Sequence, residues 1–162
     1  MKKAGCDTLS FGLQSAHPVI LKGINRSPRE PEALKETLTV ANKVGLVTAV
    51  SYIFGLPMDT EGTIQCTIDY SLSSGATLAN YFNLVILRGS QLEQMYGNSP
   101  VNALSEPEVV ALVSKAYRAF YTDPICVARI LWHIAHNPQW VIEIIPKIPT
   151  LLAWIGFRKV KR

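Results

Sequence analysis

Apolar residues along this chain come in two rhythms, and the switches between them outline a fold. From Thr8 to Ser15, leucine, phenylalanine and leucine stand at alternate or adjacent positions with glycine near the end, which predicts a first strand. Leu46 to Phe54 is nearly continuous in apolar and β-branched residues, as expected of a strand covered on both faces of a parallel sheet. Leu78 to Leu87 predicts a third strand, followed by Arg88-Gly89-Ser90. Between strands the period lengthens. Leu34, Leu38, Ala41 and Val44 recur at helical spacing and Gly45 supplies a stop, while Ser27-Pro28-Arg29-Glu30 has capping-box spacing that Pro31 complicates. Thr60 caps a second helix with Ile64, Ile68 and Leu72 on one side, ending at Gly75. Strand, helix, strand, helix, strand implies right-handed crossovers and a parallel sheet. Ligands of such sheets gather at the carboxyl ends of the strands.

Beyond Pro100 the pattern is helical. Ser105-Glu106-Pro107-Glu108 repeats the capping box, Val109, Leu112, Val113, Ala116, Tyr117 and Phe120 form an apolar stripe, and Asp123-Pro124 breaks it. A second helix is predicted from about Ile125 to His136, with Asn137-Pro138 as its stop. Trp140 to Phe157 is apolar but interrupted by Glu143, Pro146, Lys147 and Pro149, which makes it a poor bilayer span. Packing on the rest of the fold or on a partner is the favoured reading of 140–162; peripheral membrane contact, with the tryptophans at headgroup level, is the alternative. The net charge is +4, but four of the basic residues are Arg158, Lys159, Lys161 and Arg162, and elsewhere the charges nearly balance. No nucleic-acid partner is expected. Three widely spaced cysteines and the absence of a signal-peptide core near the amino terminus point to a reducing, cytoplasmic setting.

Few residues announce chemistry. His133 and His136 have the i,i+3 spacing of a metal pair, but no third ligand is near, so surface or interfacial histidines are the simpler reading and no metal ligand is assigned. His17 reads as a loop histidine and the cysteines as small core residues. No phosphate loop, no GxGxxG and no Ser-His-Asp order occurs. The strand ends are more informative. Gln14 offers an amide and Ser15 a hydroxyl that suit a sugar edge or amino-acid group, and Gly55 removes a side chain where a flat ring could approach. Pro57, Asp59 and Thr60 shape the turn into the next helix, whose amino terminus favours anions. Taken alone, this pattern describes a small-molecule site on a parallel sheet.

Three stretches, AGCDTLSFGLQSAHPVILKGINR, ANKVGLVTAVSYIFGLPMDTEGT and FNLVILRGSQL, resemble in order and spacing the second half of the radical S-adenosylmethionine barrel, most closely its cobalamin-binding branch. The resemblance covers about residues 4–95 and extends loosely into SEPEVVALVSKAYRAFYTDP, which is similar to the helical extension of that branch. It implies an α/β fold: a half TIM-type barrel of parallel strands over residues 1–98, followed by a helical extension over 99–162. It also implies that Gln14 and Ser15 lie near the ribose or methionine part of S-adenosylmethionine, that Ile53 and Gly55 border the adenine, and that Pro57 shapes the adjoining turn. The sequence departs from the family pattern at Ala16, Met58 and Asp59, where glycine, glycine and glutamate are usual.

The family's [4Fe-4S] cluster is held by a CxxxCxxC loop that this sequence does not contain, and its cobalamin domain has no counterpart here. The three strands would match the fourth to sixth of a barrel that needs ~250 residues. The expectation is therefore a carboxyl-terminal portion of a radical S-adenosylmethionine enzyme, catalysing methyl transfer, rearrangement or cyclisation of an organic substrate. Met1 reads as an internal methionine or the start of a truncated frame, and an N-terminal half or partner chain would bring the cluster. A noncatalytic interaction or membrane-peripheral module derived from such an enzyme is the alternative.

Overall fold

The computed structural model of the chain describes residues 2–97, 99 and 101–136. Strands β1 (Thr8–Gln14), β2 (Val47–Phe54) and β3 (Leu78–Asn83) form one sheet in the order β1-β2-β3, with both pairs parallel. Among the described residues six α-helices accompany them: α1 (Pro18–Gly23), α2 (Glu30–Lys43), α3 (Glu61–Ser73), α4 (Gln91–Tyr96), α5 (Glu106–Thr122) and α6 (Pro124–His136). This is the α/β architecture of a partial barrel, with its later helices drawn onto the same sheet.

Alternation along the strands makes the two faces of the sheet unequal. Val50, Tyr52 and Phe54 of β2 are buried, as are Ala79 and Tyr81 of β3, and they share one core with Leu38 of α2, Ile64 and Ile68 of α3, and Val113, Ala116 and Phe120 of α5. The intervening Ser51, Ile53 and Asn80 are only half-buried, and Phe82 is 51% exposed. Toward the carboxyl ends of the strands the helix packing is therefore on one side, whereas nearer the amino end of β2 Val47 and Ala49, on the same side as Ser51 by alternation, are buried. The central strand is the most apolar, and along Val47–Val50 it is buried on both faces.

Two expected boundaries shift. The third strand stops at Asn83, well short of Leu87, because its partner β2 ends at Phe54; the last link is the Leu84 N–H donating to the Phe54 carbonyl at 2.8 Å. Val85 and Leu87 then stand exposed despite their apolar character. Helix α2 begins at Glu30, after Ser27, because the Glu30 carboxylate is drawn back to Arg26, Nε to Oε2 at 2.8 Å, and to the Ser27 N–H. Short helices α1 and α4, one turn and a half each, fill what periodicity reads as connecting loops. The segment 140–162, with its expected packing or membrane contact, lies outside the described residues. No helix among the described residues is long and apolar enough to cross a membrane.

The outer edge of β3 is sealed by side chains of α5. The Tyr81 N–H donates to the Tyr117 hydroxyl at 3.2 Å, and the Tyr121 hydroxyl donates to the Ala79 carbonyl at 3.0 Å. The rings of Tyr52, Tyr81, Tyr117 and Tyr121 follow one another at centroid spacings of 5.4, 5.2 and 6.1 Å, and burial raises the phenol pKa of each. They act as neutral packing and hydrogen-bonding groups. Replacing Tyr121 with Phe keeps the ring and strands the Ala79 carbonyl, so urea unfolding should show a loss of about 1–2 kcal/mol with an unchanged m-value. Unaltered stability would mean that the phenol does not close the edge.

Candidate functional site

The carboxyl end of the central strand is organised by one buried acid. Gly55 has φ +86° and turns the chain out of β2, a conformation that glycine alone adopts without strain. The Gly55 and Leu56 N–H groups then both point at Asp59 Oδ2, at 3.0 and 2.9 Å, while Thr63 donates its hydroxyl to Oδ1 at 2.7 Å. Asp59 is 2% exposed, and burial raises its pKa although these donors pull in the other direction. The next residue, Thr60, caps α3 reciprocally with Thr63. Strand end, turn and helix start are thus one hydrogen-bonded unit.

At the end of β1 the ladder slips between Gly12 and Gln14, and Gln14 itself has φ +65°. This bulge folds the Gln14 amide back over its own strand: a side chain on Gly12 would put its Cβ 2.8 Å from Gln14 Nε2. Gln14 Oε1 is buried and has no hydrogen-bond partner among the described residues. The same edge holds a cation, since Arg26 Nη2 donates to the Gly12 carbonyl at 2.9 Å.

The residues expected to form a site divide into two groups. Gln14, folded over Gly12, and Ile53 are half-buried on the face that carries Ser51 and Asn80. Ser15, Gly55 and Pro57 are buried. The Ser15 hydroxyl bonds Thr67 of α3 at 3.2 Å and accepts the His17 N–H at 3.1 Å, so it ties the first loop to a helix. The space beside Gly55 is taken by protein, with the Val109 methyl groups 3.5 Å from where a Cβ would stand and Asn102 Nδ2 donating to the Gly55 carbonyl at 2.6 Å. Ser51 and Asn80, not singled out in the sequence, join Gly12 in one register row across the open face. Polar residues interrupting apolar strands at matching positions were the signal available for them.

The other candidates do not assemble. His133 is 1% exposed, whereas His136 is exposed with its Nδ1 2.8 Å from the Trp132 carbonyl, so the pair presents no shared site; burial also lowers the His133 pKa. The expectation of a surface or interfacial position fails for His133 because α6 turns that side of the helix inward. Among the described residues no group of three metal-ligating side chains occurs. Cys6 precedes β1, Cys66 lies on α3 and Cys126 is buried on α6, where burial pushes its thiol up to about 11.

The comparisons place this geometry among known proteins. No family model matches the chain. It is 28% identical over 142 residues to an uncharacterized methyltransferase of Pyrococcus horikoshii, an alignment covering 76% of this chain and 31% of the relative. It is 26% identical over 72 residues to the bacteriochlorophyllide d C-12(1)-methyltransferase of Chlorobaculum tepidum, covering 44% of this chain and 16% of that one. Among solved structures, coproporphyrinogen III oxidase from Escherichia coli, described as a radical SAM enzyme, superposes with a TM-score of 0.51 at 19% identity, over 85% of this chain and 28% of its own. The chain thus spans under a third of the length of these proteins, and the structural likeness shows the fold.

Asp59 gives the clearest local test. Asp59→Ala leaves two buried N–H groups without an acceptor and should cost about 2–4 kcal/mol, whereas Asp59→Asn should cost less than half of that. Because the folded carboxyl titrates above its ordinary 3.8, its contribution is greatest below that pH and declines as pH rises through the raised value. Denaturation midpoints measured across acidic pH should therefore fall for the parent relative to Asp59→Asn as the pH rises; the opposite slope would refute the assignment.

Proposed function

We propose that the open face at the carboxyl ends of the strands is a nucleoside-binding wall, and that this chain is the carboxyl-terminal portion of a radical S-adenosylmethionine enzyme. The observation that carries the reading is the Gln14 amide, folded over Gly12 with a buried acceptor oxygen that has no partner among the described residues. With the amide turned outward from over Gly12, a ribose hydroxyl or an amino group would satisfy it. Ile53 adds an apolar surface on the same face, and Ser51 and Asn80 add neutral hydrogen-bonding groups. Ser15, Gly55 and Pro57 serve from behind, holding the two strand ends at their relative heights. The partial-barrel fold and the methyltransferase names of the two relatives support S-adenosylmethionine as the nucleoside. When bound it would supply a methyl group or a source of carbon radicals to an organic substrate.

The residues present do not fit an iron–sulfur cluster. Cys6, Cys66 and Cys126 belong to three separate elements, and burial raises the thiol pKa of both Cys66 and Cys126. The cluster would therefore be carried by another portion of the enzyme, and dependence on cobalamin rests on the family resemblance alone. The same lack of ligands favours a second reading, a noncatalytic module derived from such an enzyme.

Equilibrium dialysis with S-adenosylhomocysteine should give saturable one-to-one binding, weakened about tenfold by Gln14→Ala, the loss expected for one hydrogen bond. No binding, or binding indifferent to Gln14, would count against the proposal. Anaerobic reconstitution with iron and sulfide is expected to leave the chain without stoichiometric [4Fe-4S] absorbance. A full complement of cluster would overturn the division of labour.

A further inference from the structure

Helix α6 carries polar residues inward and apolar ones outward, the reverse of an ordinary surface helix. The Asp123 carboxylate caps its start, accepting the Ile125 and Cys126 N–H groups at 3.0 and 2.9 Å. Its rotation is then fixed from below. Arg129 Nη1 donates to the Ala76 carbonyl at 2.6 Å, the buried Cys126 thiol lies 3.7 Å from the Leu72 carbonyl, and His133 is buried on the same side. Ile125, Ala128, Leu131, Trp132 and Ala135, at three- and four-residue spacings, are left on the outward face, where Ile125 is 69%, Leu131 59% and Trp132 47% exposed. Arg129 is the only lysine, arginine or acid of the helix, and it is turned to Ala76, so the outward stripe holds no such charge. His136 flanks the stripe with its ring stacked on Trp132, centroids 4.3 Å apart.

We infer that this face of α6 seats the chain on an anionic lipid surface, lying along the headgroup boundary. At thirteen residues the helix is too short to cross a bilayer, so the contact is made along its length. Charge separates a membrane from other covers. From Pro124 to Arg162 the sequence holds six basic residues, Arg129, Lys147, Arg158, Lys159, Lys161 and Arg162, against the single acid Glu143; the 123 residues before them hold ten basic and eleven acidic. The positive excess of the chain therefore belongs wholly to the stretch that also carries the apolar stripe. Apolar insertion together with basic attraction is the pair of signals that holds a peripheral helix on anionic lipid, and tryptophan favours that boundary. A second copy of the chain would bury the stripe but would gain nothing from the basic excess, which would repel its own kind. Ala76 lies between α3 and β3, so α6 is tied to the amino end of β3, the end opposite Gln14 and Gly55. The inference rests on α6 and its charge setting, and it stands whether or not the nucleoside reading holds.

Sedimentation of the full chain with lipid vesicles tests it. Vesicles of phosphatidylcholine and phosphatidylglycerol in equal parts should bind the chain at least about tenfold more tightly than phosphatidylcholine alone, and added salt should weaken that binding. Ile125→Glu with Leu131→Glu, at exposed positions, should weaken it at least about tenfold and leave the urea midpoint unchanged. A chain with Trp140→Phe and Trp154→Phe keeps Trp132 as its one tryptophan. Brominated acyl chains in the same vesicles should quench its fluorescence, a readout that leaves the stripe intact. The inference is overturned if neither vesicle binds the chain, if neutral lipid binds it as tightly, if the two glutamates leave anionic binding unchanged, or if Trp132 of the bound chain escapes quenching. It is overturned as well if Trp132 is already shielded from iodide in the free, dilute chain or the glutamates lower the urea midpoint, either of which makes another part of the chain the cover. Shielding that follows the chain's own concentration would overturn it in favour of a second copy.

Discussion

A carboxylate withdrawn from water holds the working end of this molecule. Asp59 accepts the two N–H groups that β2 would otherwise leave unpaired as it turns at Gly55, and it reaches Thr63 in the first turn of α3. Burying a charge is costly unless donors surround it, and three do. The result is a fixed height at which the central strand stops. Ile53 is presented just below that height, and Asn102 and Val109 close over the turn from the α5 side. The shape of the candidate site therefore depends on a residue that never reaches the open face.

From that constraint the two faces acquire separate roles. The helix-bearing face is a continuous apolar core running from Leu38 through Tyr52 and Tyr81 to Phe120. The other carries Ser51, Ile53, Asn80 and the Gln14 amide, which do not form a core. A sheet with one dry face is stable as part of a larger assembly, and the neutral polar row gives the second face something to bind.

Much of this was legible in the sequence because the strongest signals are local. The three strands and their parallel order follow from apolar runs separated by capped, amphipathic helices, and Thr60 and Ser105 are caps where the pattern puts them. The end of β3 was not legible, because Val85 and Leu87 are apolar yet lack a partner once β2 has turned away. Gly55 was visible as special for the wrong proximate reason: its positive φ and the Asp59 acceptor explain it, and the vacant space faces Val109. Ser15 reads as a ligand group in isolation, whereas its bond to Thr67 depends on a helix about fifty residues away. Long-range pairings of this kind carry no periodicity. Gln14 needed both sources, since its position at a strand end is local but its folding over Gly12 comes from a bulge.

The central claim is that the face carrying Gln14 and Ile53 receives a nucleoside. A crystal structure of the chain grown with S-adenosylhomocysteine tests it most directly. The account predicts the adenosine against Ile53, with a ligand donor on Gln14 Oε1 and Asp59 still closing the turn. Adenosine lodged on the helix-bearing side, or an open face left bare at saturating ligand, would contradict it.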